Sequence, residues 1–149
     1  MERRKENPAK AFLRRYKGLC GIVESLNKAI EEAMERAFNT GVTLKEVKVL
    51  SSPAEHDPMA RDVCNAVDAT EVLREYMAKE TAALREILTA VDSLKDEQQK
   101  QLLILRYIEG KDFNFICETM GYEKTQVFVI HGRALLEINK WMERRALVG

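Results

Sequence analysis

The chain has 149 residues, with 46% hydrophobic and 32% charged side chains and only 7 Gly and 3 Pro. Such a composition suits a folded, helix-rich protein of one domain or two small ones. A net charge of 0 and a pI near 6.8 exclude any whole-protein attraction to nucleic acid, so an affinity for DNA has to come from local patches.

The first predicted element is a long helix over residues 8–39. Asn7 suits its cap, and Pro8 fits the first helical position, where no N–H is needed. Phe12, Tyr16, Leu19, Val23, Leu26, Ile30, Ala33 and Ala37 alternate steps of four and three, the heptad spacing that drives helices to supercoil. Gly18 and Gly21 weaken this helix, and Gly41 ends it. Residues 1–17 hold seven Lys/Arg against two Glu. Within them Arg3, Arg4, Lys5, Lys10, Arg14, Arg15 and Lys17 form a basic cluster, suited either to phosphate or an acidic partner or to simple solvation.

Residues 40–57 form a connection. Val42, Leu44, Val47, Val49 and Leu50 supply a short apolar piece, and Ser51, Ser52, Pro53 and Pro58 mark the loop proper. His56 lies between Glu55 and Asp57 and reads as a solvated residue, not a metal ligand.

Asp57-Pro58 repeats the cap-then-proline start, opening a second long helix to about Asp92. Val63, Ala66, Thr70, Leu73, Met77, Leu84, Ile87, Val91 and Leu94 carry its seam, interrupted by Glu80. Two amphipathic helices with a folded-back connection predict an antiparallel, coiled-coil-like hairpin over residues 1–92. A two-helix hairpin has little core of its own, which favours a homodimer over packing on its own C-terminal part alone. The oligomerisation candidates are Phe12, Tyr16, Leu19, Val23, Leu26, Ile30, Leu73, Met77 and Leu84.

The rhythm shifts near Asp92-Ser93, which starts a second domain over residues 93–149. Asp96 suits the cap of a third helix from Glu97 to about Glu109, with Leu102, Leu105 and Ile108 facing inward and Gly110 closing it. Asp112 then caps a short helix with Ile116, Cys117 and Met120 on one face, and Gly121 ends it. In the helix that follows, Val127, Ile130, Ala134, Ile138 and Trp141 face the core with His131 at its edge. Its outward side carries Thr125, Val129, Gly132 and Leu136, with Phe128 beside it. Two short helices joined by about three residues including Gly form the helix-turn-helix pattern, whose second helix can enter a DNA major groove.

The run Leu105-Arg-Tyr-Ile-Glu-Gly110, then Phe113, Ile116, Met120-Gly-Tyr122, Gln126-Val127 and Ile130-His-Gly-Arg-Ala-Leu135, resembles the C-terminal part of the ArpU/RinA-type phage regulators. That part is similar in turn to region 4 of sigma factors, the module that grips the −35 promoter element, and the resemblance covers about residues 92–140. It implies an all-α chain, a helical hairpin followed by a sigma region 4-like helix-turn-helix domain. It further implies a phage late-gene regulator acting on double-stranded DNA in the bacterial cytoplasm, with RNA polymerase as a possible contact. Carried onto this sequence, the DNA-facing candidates are Lys111, Lys124, Thr125, Gln126, Phe128, Val129 and Arg133. The chain departs from the family where relatives tend to carry Ser, Arg or Lys. Here Glu123, Thr125 and Val129 leave the outward face nearly uncharged, flanked by Lys124, Gln126 and Arg133. A face so poor in cations predicts weak DNA affinity alone. It suits, as the alternative, an interaction or assembly module, polymerase- or packaging-associated, whose outward apolar stripe binds protein.

Nothing in the sequence points to catalysis, a cofactor or a metal: there is no Gly-rich phosphate loop and no ligand spacing among His, Cys and Asp. Cys20, Cys64 and Cys117 are far apart and odd in number, which argues against a disulfide framework and for a reducing compartment. No apolar run approaches the roughly 18–20 residues that span a bilayer, and the charged N-terminal stretch lacks a signal-peptide core.

Overall fold

The computed structural model describes residues 5–39 and 58–148, with side chains placed outside 58–64 and 66. The readings at Arg3, Arg4, Gly41, the 40–57 connection, His56 and the Asp57 cap lie outside the described residues, as do those of the Val63, Cys64 and Ala66 side chains. All the regular structure among the described residues is helical, with no strand. No helix among them is long and apolar enough to cross a membrane.

Helix α1 (Pro8–Asn39) starts as its sequence predicts: the Asn7 side chain accepts a hydrogen bond from the Ala9 N–H at 3.0 Å, and the Asn7 carbonyl accepts from Ala11 at 3.1 Å. Helix α2 (Pro58–Asp92) ends at Ser93, whose N–H reaches back to the Thr89 and Ala90 carbonyls. Asp96 caps α3 (Glu97–Leu103) through the Gln98 N–H at 2.9 Å. Asp112 caps α4 (Phe113–Met120) through the Phe115 N–H at 2.8 Å. Gly121 takes φ 73°, the left-handed geometry that closes α4, and α5 (Lys124–Val148) follows after three residues.

Between α3 and α4 the chain does something the apolar pattern did not reveal. Residues Ile104–Ile108 form a π-helical turn, with the Glu109 N–H bonded to the Ile104 carbonyl five residues back at 2.9 Å. The extra residue in that turn rotates the side chains after it by about 100°. Tyr107 therefore enters the interior at 5% exposure, while Ile108, expected inward, is only half-buried at the core's margin. Gly110, at φ 74°, reverses the chain immediately afterwards.

The chain divides into two compact units, one of residues Met1–Gly18 with Glu80–Gly149 and one of Leu19–Lys79. In the first, Leu13, Ile87, Leu102, Leu103, Ile116, Val127 and Ile138 are fully buried. Each such side chain contributes roughly 1.5–3 kcal/mol on removal from water. The opening turns of α1 thus share a core with α3, α4 and α5: Ala9 and Leu13 are sealed, and the Phe12 ring lies 5.8 Å from that of Trp141. Asn7 adds a polar tie there, accepting from the Asn139 amide at 3.0 Å. In the Leu19–Lys79 unit, Val23, Ala33 and Ala37 are buried, whereas Ile22, Phe38, Val72 and Met77 are exposed.

Candidate functional site

The α4–α5 pair places its outward residues as the helical wheel predicts. Lys124, Thr125, Gln126, Phe128, Val129, Gly132, Arg133 and Leu136 are all exposed, and Val127, Ile130, Ala134 and Ile138 are buried beneath them. Leu135, which the wheel left unassigned, is also buried, and Trp141 is half-buried. Val129 at 47% and Leu136 at 61% exposure leave much of the stripe uncovered among the described residues. A Cβ on Gly132 would meet nothing within 4 Å, so no internal neighbour requires a glycine there. Lys124 and Arg133 have no acidic partner among the described residues.

Aromatic contacts fix the approach to this face. The Phe113 and Phe128 rings lie 4.8 Å apart, which ties the first turn of α4 to α5. The Arg106 guanidinium stacks 4.5 Å above Phe113 and donates to the Lys111 carbonyl at 3.1 Å. The Lys111 ammonium in turn sits 4.9 Å over the Phe115 ring, an arrangement that holds the cation at the start of α4 without neutralising it. At the far end of the turn the Gln98 amide donates to the Tyr122 hydroxyl, linking α3 to the α4–α5 connection.

Behind Phe113 lies a buried polar pair. His131, only 8% exposed, shares a 2.8 Å hydrogen bond with the Tyr107 hydroxyl, and the two rings stack at 5.8 Å. Burial, reinforced by the positive charges of Lys10 and Arg106, lowers the His131 pKa to about 4, so the ring is neutral at physiological pH. Burial likewise raises the Tyr107 pKa, against the opposing pull of Arg14 and Arg106. Lys10, Arg14 and Lys17 from α1 complete a small pocket with these residues, about 150 Å³ in volume.

The DNA-facing candidates are all exposed: Lys111 just before α4, and Lys124, Thr125, Gln126, Phe128, Val129 and Arg133 along the first turns of α5. The oligomerisation candidates are spread more widely. Phe12 and Tyr16 belong to the core of the first unit and its margin, Val23 is buried, Leu19, Leu26, Ile30, Leu73 and Leu84 are half-buried, and Met77 is 49% exposed. Sequence reasoning missed the Arg106–Tyr107–His131 grouping. One available signal was the spacing of Lys10, Arg14 and Lys17, which puts three cations on a single helical face. Among the described residues no cluster of His, Cys, Asp and Glu is arranged to hold a metal ion. No protein-family model, curated protein or solved structure matches this chain.

Proposed function

We propose that the chain is a DNA-binding transcriptional regulator of the phage late-gene activator type, with α4 and α5 as a helix-turn-helix and α5 as the groove-entering helix. The observation that carries this reading is the exposed opening of α5, where Lys124, Gln126 and Arg133 flank a solvent-facing side and Lys111 precedes the helix before it. The resemblance of about residues 92–140 to the C-terminal part of the ArpU/RinA-type regulators, itself similar to sigma region 4, supports the same assignment. In this reading Gln126 reads an adenine edge, while Lys111, Lys124 and Arg133 contact phosphates on either side. Thr125, Phe128 and Val129 meet thymine methyls. The exposed apolar residues Ile22, Phe38, Val72 and Met77 of the Leu19–Lys79 unit support a homodimer formed through that unit.

Binding to a panel of duplexes, measured against salt, tests this. Gln126→Ala should relax sequence preference by roughly tenfold to a hundredfold, the value of a bidentate base contact of about 1–3 kcal/mol. Lys124→Ala should instead weaken binding to every duplex and lower the salt slope by about one. The exposed Val129 and Leu136 favour a second reading, a protein-docking face for polymerase or a packaging partner. Under it, Val129→Asp and Leu136→Asp abolish a complex that Lys124→Ala leaves intact. Absence of any duplex binding at low salt by the intact protein removes the first reading and leaves the second.

A further inference from the structure

The pocket behind Phe113 has a one-sided chemistry. Lys10, Arg14, Lys17 and Arg106 line it together with Tyr107, Phe113 and His131, and no carboxylate does. Arg14 is paired with Glu6 at 2.6 Å, but Lys10, Lys17 and Arg106 have no acidic partner among the described residues. Cations gathered without an anion repel one another, and the repulsion grows as the surroundings lose water. At about 150 Å³ the space is below the roughly 300–1,000 Å³ of pockets that take drug-sized molecules, and it suits one small ion.

Two of the cations are also held in place. Arg106 is fixed by Phe113 on its face and by the Lys111 carbonyl at 3.1 Å. The end of Lys17 lies against Gly110 so closely that a Cβ there would stand 2.7 Å from both its Cε and its Nζ. A planar guanidinium from the π turn and two ammoniums from α1, all lining one pocket, suit a tetrahedral oxyanion, which accepts hydrogen bonds from several directions at once. Tyr107 and His131, both nearly sealed, give the pocket a polar floor.

We propose that this pocket binds one phosphate group, with Lys10, Lys17 and Arg106 as its charged ligands and Arg14 at its rim. The group has two possible sources, free inorganic phosphate or a phosphate of a nucleic-acid backbone. The site is distinct from the α5 face and does not depend on that face entering a groove.

The full chain is titrated with inorganic phosphate, and separately with chloride at matched ionic strength, while the His131 ring signals are followed by NMR. The expected result is a saturable shift with phosphate that chloride does not reproduce. Lys10→Met with Lys17→Met should weaken phosphate binding at least tenfold, since each change removes a charge-assisted donor, whereas Lys10→Arg should retain it. The amide spectrum outside the pocket, unchanged in the double variant, reports that the fold is kept. Duplex binding by the same double variant then separates the sources. A salt slope lower by about one per lost lysine assigns the site to a backbone phosphate; unchanged duplex binding, or none in the parent protein, assigns it to the free anion. A phosphate response no larger than that of chloride, or undiminished phosphate binding in the double variant, overturns the proposal.

Discussion

Acid should destabilise this protein through His131. The folded chain keeps the ring neutral, its pKa lowered from 6.5 to about 4 by burial and by Lys10 and Arg106. The unfolded chain takes up the proton near the ordinary value. The sign follows directly: the contribution is complete above about pH 6.5 and is lost as pH falls toward 4, because only the unfolded state gains the proton. Each unit of difference is worth about 1.36 kcal/mol. Allowing for the solvent that reaches the pocket mouth, the full loss is about 2–3 kcal/mol, a large share of the stability of a domain this size. Lys10, Arg14, Lys17, Arg106 and the Tyr107 phenol surround the ring in its pocket, and no carboxylate lines it. The comparison is His131→Gln, whose amide can still bond the Tyr107 hydroxyl but does not titrate. Urea unfolding of both proteins between roughly pH 7.5 and 4.5 should show the parent losing about 2–3 kcal/mol relative to the variant, with carboxylate effects cancelling in the difference. Parallel profiles, or an NMR titration of His131 close to 6.5, would refute the reasoning.

Other outcomes follow from the packing. Leu13→Ala, at a site with no exposure, should cost about 2.7–5 kcal/mol in denaturant unfolding; a loss below about 1 kcal/mol means that the start of α1 is not part of this core. Gly110→Ala forces a side chain into φ 74° beside Lys17 and should cost about 1–2 kcal/mol. Gly132→Ala, in open helix, should stabilise by about 0.5–1 kcal/mol. The same pair of alanine variants compared by thermal melting separates backbone strain from helix propensity. Leu26→Lys with Ile30→Lys should convert a dimer to monomers, or unfold the chain, in light scattering; a fully folded dimer carrying both changes places the interface elsewhere.

The helix ends were legible because capping is local. Asn7, Asp96, Asp112 and Gly121 each act within four residues, so short spacing contains the whole cause. The α5 faces were legible for the same reason, since periodicity along one helix fixes which side is buried. The π turn was not, because one added residue leaves no mark in composition and only its effect on Tyr107 and Ile108 reveals it. Nor was the pocket, whose lining comes from α1, the π turn, α4 and α5 and meets only when the core closes. His131 illustrates the boundary: its place at the edge of the core face was readable, but its hydrogen bond to Tyr107, 24 residues away, was not.

The sharing of one core by Leu13 and Ile138 has a consequence for how the protein is made. At translation rates of about 5–20 residues per second, the start of α1 waits roughly 6–25 s before the last of its packing partners has been synthesised. Until then Phe12 and Leu13 have only the core residues of α2 and α3, Ile87, Ala90, Leu102 and Leu103 among them, and not those of α4 and α5. Contacts so distant in sequence make for slow folding. During synthesis, then, this core is a split domain whose two parts are made far apart in time, and it closes only when the later part has emerged.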